Sequence, residues 1–410
     1  MGVLLANRDS VASRLAIGLS IDTPGNEIRA ALHRVFGFGL SCRAETLGAV
    51  ATPVHRTTGH AQKAVASAND VSCFVQATEA GGLARQLCDA TQTVAERAAI
   101  QLDQILFLSV LPAASSPAAI ELAVVAPALA DLTGITTLAG YSTNDRAAGG
   151  RGRSLGTLVD WVLASDPRSS RLVFHLDGVT SLTHLTAGAD PSRVRMFETG
   201  PGTIFLDDLA ATLSNGRQPA DSRGMLAVQG RQIKPLVRRW ASHAFLRLEP
   251  PKFLDPADFA GPFIEETIQM TVDRGWSAAD VLCTATHFVA ACAADAVRQF
   301  VNLDSTTPQA VLVGKGTQNG FLLRLLEEQL AGMGIMAISM AKIAPESYDA
   351  TTAAVLGCLT LDGVPIILPH AIGAAGPRLA GQLSPGTPQN WRQCIEWMHR
   401  VVPSTTARAA

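Results

Sequence analysis

The sequence has no excess of basic residues, no long apolar run and no paired-cysteine motif. Lysine and arginine number 33 against 35 aspartates and glutamates, a formal net charge of -2. A chain without a basic face lacks the charge that neutralises nucleic-acid phosphates, so no nucleic-acid partner is expected. Arg8, Asp9 and Arg14 interrupt the first 23 residues, and no stretch reaches about 18 clean apolar residues. We therefore expect no signal peptide, no membrane partner and a cytoplasmic location.

The seven cysteines are odd in number, and no two of them form a CxxC pair. This pattern favours neither a disulfide framework nor a zinc site. Most of them lie in apolar surroundings, so we expect buried packing residues. No metal-ligating residue is predicted.

What the sequence does contain is an alternation of short apolar runs and longer segments of helical period. Hydrophobic residues make up 47% of the 410 and are spread along the whole chain. The alternation predicts an α/β fold, and the length predicts two domains. The predicted strands are 14–20, 105–110, 171–176, 310–313 and 365–368. The predicted helices are 82–100, 119–132, 277–301, 321–331 and 349–359, with a shorter one at 203–213.

A glycine-rich stretch at 147–152 predicts a crossing between the two lobes. We place lobe I at residues 1–140, completed by 383–410, and lobe II at 141–382. A proline-rich region near 215–262 is predicted to be a loop-rich insertion in lobe II, and such insertions often cover a site.

Three motifs could carry chemistry. Glu198 heads a Thr-Gly-Pro-Gly turn, where an acid held beside backbone N–H groups can serve as a general base next to a phosphate cradle. The segment 313–319 is a strand end running into a glycine-rich loop, and glycine allows close backbone approach to a ligand. The segment 171–185 has the pattern of a hairpin with its turn at Asp177 and Gly178. Each motif alone is equally compatible with ordinary loop chemistry.

The order of these motifs resembles that of the anhydro-N-acetylmuramic acid kinase family, in the sugar-kinase/actin-like ATPase superfamily. Further matching segments are IGLS at 17–20, TGI at 133–135, DRAAGGRG at 145–152, AVQGRQI at 227–233, PPK at 250–252 and GQLSPG at 381–386. The resemblance implies two actin-like (ribonuclease-H-like) lobes with an interlobe cleft. It also implies ATP and Mg²⁺ as cofactors and a small amino sugar from peptidoglycan turnover as substrate, phosphorylated as its anhydro ring opens. A homodimer is left open.

The resemblance also assigns the site residues. It implies Glu198 as the catalytic carboxylate and Asp145 and Asp349 as substrate contacts. The implied cofactor-binding residues are Gly18, Ser20, Thr23, Gly178, Gly200, Gly202, Gly314, Gly316 and Asn319.

The chain departs from the family in its phosphate loops. The family's first loop typically has the pattern G-x-S-G-T-S-x-D-G-x-D, whereas here Asp22 replaces a glycine and Asn26 and Arg29 replace aspartates. An acid about 4 Å from a phosphate charge costs on the order of 4 kcal/mol at an effective dielectric of 20. Asp177 places a second acid where another phosphate contact is expected. Two hypotheses follow: a weakened sugar kinase that still uses ATP and Mg²⁺, or an inactive pseudokinase that binds a ligand or regulates a partner without either cofactor.

Overall fold

The computed structural model describes residues 12–22, 27–54, 77–112, 122–153, 155–302, 308–340, 343–369 and 376–405. Thr23, Asn26 and one of the seven cysteines, Cys73, lie outside these ranges. The six other cysteines are buried, as expected.

Strands and helices alternate along the chain. The strands are β1 Ser13–Asp22, β2 Glu27–Phe36, β3 Arg43–Pro53, β4 Ile105–Pro112, β5 Thr137–Ala139, β6 Arg171–Leu176, β7 Val179–Leu185, β8 Arg195–Pro201, β9 Gln309–Val313, β10 Met336–Ile338 and β11 Gln382–Ser384. The helices are α1 Ala77–Arg97, α2 Leu122–Thr133, α3 Tyr141–Ala147, α4 Thr157–Ala164, α5 Thr203–Leu213, α6 Lys234–Ala241, α7 Pro262–Arg274, α8 Ala278–Phe300, α9 Gly320–Ala331, α10 Tyr348–Leu361 and α11 Pro388–Thr405.

The strands form two mixed sheets of the same design. In the first, the order is β11-β5-β4-β1-β2-β3, with β1, β2 and β3 an antiparallel meander and β4 parallel to β1. In the second, the order is β10-β9-β6-β7-β8, with β6, β7 and β8 the meander and β9 parallel to β6. Each sheet therefore joins a three-stranded meander to parallel strands through its first strand. The predicted α/β class is confirmed, with two mixed sheets and the helices that pack on them.

Helices α4 and α10 connect the two sheets. Leu158 and Val159 of α4 share one apolar cluster with α10 and with Phe107 of the first sheet. The end of α4, at Ala164, packs instead with Val173 of the second sheet. Helix α10 lies against β1, β2 and β4, although its residues fall within the stretch 141–382 assigned to lobe II. The boundaries at 140 and 382 stay a prediction.

Helices α5 and α8 pack on the second sheet, and α6 and α7 pack on those two helices around a cluster of aromatic rings. Phe205 lies with its ring centroid 5.4 Å from that of Trp240 and 5.9 Å from that of Phe259. Ser277 caps α8 as predicted, because its hydroxyl accepts the N–H of Asp280 at 3.1 Å. Among the described helices, α8 is the one long and apolar enough to cross a bilayer. Of its most apolar 18-residue stretch, 78% is buried inside the protein.

The prediction of a strand at 365–368 is wrong. Ile366 and Ile367 are buried, but both of their N–H groups donate to the Arg378 carbonyl rather than to a neighbouring strand. The apolar residues at 365–368 therefore indicate a buried segment, which is not paired as a strand. The predicted insertion at 215–262 contains helix α6 and several short 3-10 turns, and Leu236 and Trp240 anchor it in the core of the second lobe.

Candidate functional site

Three turns that are far apart in sequence meet at one end of the second sheet. The N–H of Gly202 donates to the Gly178 carbonyl at 3.0 Å, and the N–H of Thr203 donates to the Asp177 carbonyl at 2.7 Å. The N–H of Lys315 donates to the Asp177 carboxylate at 3.0 Å. The hairpin turn, the Gly-Pro-Gly turn and the glycine loop after β9 thus form one surface.

Glycine is required where these turns touch. A Cβ on Gly202 would lie 2.0 Å from the Asp177 carbonyl oxygen, and a Cβ on Gly316 would lie 2.6 Å from that of Leu176. Both neighbours are backbone atoms and cannot turn away. The two glycines therefore allow the loops to pack against the sheet end, as the sequence pattern indicated.

A cavity of about 370 Å³ opens beside these turns. This volume lies within the roughly 300–1,000 Å³ that small-molecule sites occupy. Its wall includes Thr203, Leu206, Asp207, Lys315, Gly316 and Asn319, together with residues 219–223 of the insertion and two side chains of α8. Asn319 also caps α9, since its side-chain oxygen accepts the N–H of Leu322 at 3.0 Å. Of the predicted cofactor residues, Gly316 and Asn319 line this cavity.

The remaining second-lobe glycines support the turns from outside the cavity. Gly314 has a φ of +95°, and its α-carbon faces the Asp177 carboxylate. Gly178 occupies the hairpin turn and accepts the Gly202 N–H. Gly200 packs on Cys292 of α8, where a Cβ would lie 2.9 Å from the cysteine Cβ.

Glu198 lies in β8, is 3% exposed and is held from two sides. Its Oε1 is 2.8 Å from an Arg153 guanidinium nitrogen, and its Oε2 accepts the N–H of Leu254 at 2.5 Å. Arg153 also donates to the Leu254 carbonyl at 2.9 Å. Burial raises the pKa of Glu198, and the opposing effects of Arg153, the Leu254 N–H and Arg151 do not cancel the rise.

This arrangement joins the segment after the glycine-rich stretch 147–152, the Glu198 turn and the segment after the PPK motif. Arg153 and the Leu254 N–H were not singled out by the sequence analysis, and no local pattern marks either as a carboxylate partner. Glu198 is not among the described residues that line the 370 Å³ cavity.

Of the residues predicted for the first-lobe part of the site, Gly18 and Ser20 lie in β1. Gly18 faces α10, and a Cβ there would lie 1.7 Å from the Ala350 carbonyl oxygen, so this glycine allows the helix to pack on the strand. Ser20 is buried, with Arg29 and Leu111 as its strand neighbours. The guanidinium of Arg29 binds the Glu27 carboxylate at 2.6 Å and the Glu346 carbonyl at 2.9 Å. The rest of the loop, 23–26, lies outside the described residues.

Asp145 and Asp349 occupy different surroundings. Asp145 in α3 is 0% exposed, and one carboxylate oxygen accepts the N–H of Gly152 at 2.6 Å. Its other oxygen has no hydrogen-bond partner among the residues that the structure describes. Burial raises the pKa of Asp145. Asp349 lies in the first turn of α10, where its charge acts on His175 and Tyr348.

A buried polar cluster beside the second sheet was not predicted. The Asp160 carboxylate of α4 accepts hydrogen bonds from His175 at 3.0 Å, from Tyr348 at 2.8 Å and from Thr183 at 2.5 Å. Burial alone would lower the pKa of His175, but the charge and hydrogen bond of Asp160 raise it to about 9. The signal available in the sequence was one acid in the otherwise apolar helix TLVDWVLA. The cluster ties α4 and α10 to the second sheet.

Comparison with known proteins agrees with the motif order. The model of the family "Anhydro-N-acetylmuramic acid kinase" matches residues 63–386, beginning after β3. The anhydro-N-acetylmuramic acid kinase of Acaryochloris marina is 32% identical over 259 residues, covering 62% of this chain and 68% of that one. The kinase of the same name from Synechococcus elongatus is 36% identical over 262 residues, again covering 62% and 68%.

Among solved structures, the chain is similar to the activator of the 2-hydroxyisocaproyl-CoA dehydratase from Clostridium difficile with bound ADPNP. That similarity has a TM-score of 0.45 and 11% identity, and it covers 84% of this chain and 94% of the other. The family match extends over more than half of the sequence and includes every second-lobe motif described above. The chain therefore belongs to the anhydro-N-acetylmuramic acid kinase family.

Proposed function

We propose that this protein is an ATP-dependent kinase that phosphorylates anhydro-N-acetylmuramic acid and opens its anhydro ring, with phosphotransfer that is weakened. The observation that carries the proposal is the meeting of the Gly178, Gly202 and Lys315 turns beside a 370 Å³ cavity. Glycine turns at strand ends bring backbone groups close to phosphates. The matched relatives bear the name of this kinase.

The nucleotide would occupy the cavity between α5 and the loop after β9. Leu206 and Leu282 supply an apolar wall suited to a base, whereas Lys315 and Asp207 supply charge at the glycine turns. In this proposal Gly178, Gly202, Gly314, Gly316 and Asn319 shape the pocket, as the resemblance implies.

Mg²⁺ would arrive with the nucleotide. Among the described residues, no three His, Cys, Asp or Glu side chains are grouped so as to hold a metal ion. Mg²⁺ commonly binds through one or two carboxylates beside phosphate oxygens and waters, so a dedicated cage is not needed. Asp207 is the carboxylate that the cavity offers beside Lys315. Bound Mg²⁺ would neutralise part of the phosphate charge.

Glu198 is the proposed general base on the sugar side. A raised pKa favours a carboxylate that must accept a proton near neutral pH. Both of its oxygens, however, are engaged, one by Arg153 and one by the Leu254 N–H. These two contacts stabilise the ionised carboxylate and therefore oppose its protonation, and this is the reason we propose weakened transfer.

The proposed sugar contacts are Asp145 and Asp349. An ionised carboxylate accepts hydrogen bonds from sugar hydroxyls, and Asp145 has one oxygen without a partner among the described residues. Because Asp145 is 0% exposed, a hydroxyl reaches it only if the following glycine-rich segment moves. A cytoplasmic location and a homodimer stay predictions.

The second candidate function is nucleotide binding without phosphotransfer. The observation that favours it is the engagement of Glu198 together with the replaced first-lobe loop, in which Arg29 binds Glu27 and the Glu346 carbonyl. In that case the nucleotide-binding cavity would have a regulatory role instead of a catalytic one.

The deciding experiment measures binding and turnover on the same protein. Mg²⁺-ATP should raise the unfolding free energy by about 2.7 kcal/mol when present at 100 times its dissociation constant. With anhydro-N-acetylmuramic acid added, we expect slow ADP release and a phosphorylated sugar detectable by mass spectrometry. Glu198→Gln should abolish turnover, and Glu198→Asp should raise it. Glu266→Gln is the control, because Glu266 on α7 forms an exposed ion pair with Arg239, and it should change neither ATP binding nor turnover.

The outcomes separate the two candidates. Stabilisation by ATP without any ADP release would favour the non-catalytic protein. No stabilisation at millimolar ATP would remove both nucleotide-dependent functions.

A further inference from the structure

Lys315 has a fixed main chain in the cavity wall. It begins the 3-10 turn Lys315–Gln318, and its N–H donates to the Asp177 carboxylate at 3.0 Å. The next residue, Gly316, is so close to the Leu176 carbonyl oxygen that a Cβ would approach it to 2.6 Å. The side chain of Lys315 therefore starts from a defined point beside the glycine turns.

The ammonium group of Lys315 forms a long and partly exposed ion pair with Asp207. Its Nζ lies 3.6 Å from Oδ2 of Asp207, and the two side chains are 29% and 28% exposed. Ion pairs of this exposure contribute little to stability, because water screens them and long side chains lose entropy in forming them. The ammonium can therefore leave Asp207 for a stronger anion at small cost.

Other cations are less well placed to meet phosphates at the glycine turns. Arg29 is 4% exposed and is bound to Glu27 and to the Glu346 carbonyl. Arg223 lines the cavity but belongs to the insertion wall at 219–223, whereas Lys315 hydrogen-bonds through its N–H to the hairpin turn itself. Among the described residues, Lys315 is the cavity-lining cation next to that turn.

We propose that Lys315 binds the phosphate groups of the adenine nucleotide, an inference that rests on the nucleotide-binding role proposed above. Asp207 holds the ammonium at the cavity wall in the free protein and releases it when a nucleotide binds. Lys315 then supplies positive charge to the phosphates at the glycine turns.

Calorimetry with Mg²⁺-ATP and adenosine tests this role, because adenosine lacks the phosphates. The parent should bind ATP more tightly than adenosine. Lys315→Gln should weaken ATP binding by at least about tenfold, the effect typical of losing a hydrogen bond to a charged group, and should leave adenosine affinity within about twofold. Lys315→Arg should keep most of the ATP affinity.

Arg324→Gln is the matched control. Arg324 lies on α9 in an exposed pair with Glu328, so the variant makes the same charge change outside the cavity and should leave both affinities unchanged. Equal losses for ATP and adenosine in Lys315→Gln would assign Lys315 a structural role and overturn the proposal. Unchanged ATP affinity there, or a loss confined to Arg223→Gln, would overturn it as well.

The affinities of the parent protein for ATP and adenosine distinguish failure of the Lys315 proposal from failure of the proposed nucleotide-binding function. If the parent binds ATP and adenosine equally well, nucleotide binding stands and the role of Lys315 fails. If the parent binds neither ligand, the nucleotide-binding function itself fails.

Discussion

Arg153 and Glu198 form an ion pair of 2.8 Å that joins the segment after the glycine-rich stretch 147–152 to β8. The Arg153 side chain is 26% exposed, whereas the Glu198 side chain is 4% exposed. Water therefore stabilises the charge of Glu198 less, and this charge depends more on the ion pair than the charge of Arg153 does. Removing the arginine would leave a buried carboxylate with one hydrogen bond, from the Leu254 N–H.

Arg153→Gln should therefore destabilise the protein by about 1–3 kcal/mol, less than the loss of a fully buried partner because the arginine is partly exposed. Urea denaturation of Arg153→Gln, Glu198→Gln and the double variant measures the pair. The double variant should lose less than the sum of the two single variants. Arg239→Gln, which breaks the exposed pair with Glu266, should cost under about 1 kcal/mol. Strict additivity would mean that the two groups do not interact.

His33 should make stability fall in mild acid. It is 0% exposed in β2, its Nε2 has no partner among the described residues, and burial lowers its pKa to about 4. The unfolded chain takes up a proton near pH 6.5 while the folded protein does not, so this contribution is present above pH 6.5 and is lost as pH falls to 4. The loss approaches roughly 3 kcal/mol. Between pH 7 and 4.5, the urea unfolding midpoint should fall less steeply in His33→Leu than in the parent. An identical pH dependence in the two proteins would contradict the assignment.

His175 should act in the opposite direction at alkaline pH. Its pKa is raised to about 9, so the folded protein holds a proton that the unfolded chain releases near pH 6.5. The stabilisation is complete below pH 6.5 and is lost as pH rises through 9, by about 1–3 kcal/mol. Denaturation at pH 6.5 and 9 should show this loss in the parent and a smaller one in His175→Gln. A larger loss in the variant would mean that the Asp160 cluster does not hold the proton.

Gly18→Ala should be strongly destabilising for a reason unrelated to phosphate. The added Cβ would lie 1.7 Å from the Ala350 carbonyl oxygen and 2.7 Å from the Ala354 nitrogen, so α10 must move off β1. We expect a cost of at least about 3 kcal/mol in thermal or urea unfolding. Gly82→Ala in α1 adds the same methyl group with nothing within 4 Å and should stabilise by about 0.5–1 kcal/mol. Equal effects of the two variants would refute the packing role.

Local chemistry made part of the fold predictable. Helix α8 follows from Ser277 as a cap and from apolar residues at helical spacing, and α5 follows directly after Gly202. Strand β2 escaped prediction because Arg29 and His33 interrupt its apolar pattern, yet both are buried. Arg29 is tolerated there because Glu27 and the Glu346 carbonyl bind its guanidinium, and neither contact is visible in the local pattern.

The candidate site, too, was only partly predictable from the sequence. The turns at Gly202 and Gly316 were identifiable because only glycine permits such close backbone contact, and a conspicuous glycine is visible in the sequence. The partners of the acids were not identifiable. Asp177 was interpreted as a charge facing a phosphate, whereas in the structure its carboxylate accepts the Lys315 N–H.

By itself, the sequence determined that this protein is an α/β kinase relative with glycine turns at its strand ends. Periodicity, helix caps and glycine conformation depend on neighbours along the chain, so they can be inferred without a structure. The tertiary structure alone decided that Glu198 binds Arg153 and that Asp160 binds His175 and Tyr348. Ion pairs and buried hydrogen bonds act over a few ångströms, and only the packing of the two sheets around α4 and α10 brings these groups that close.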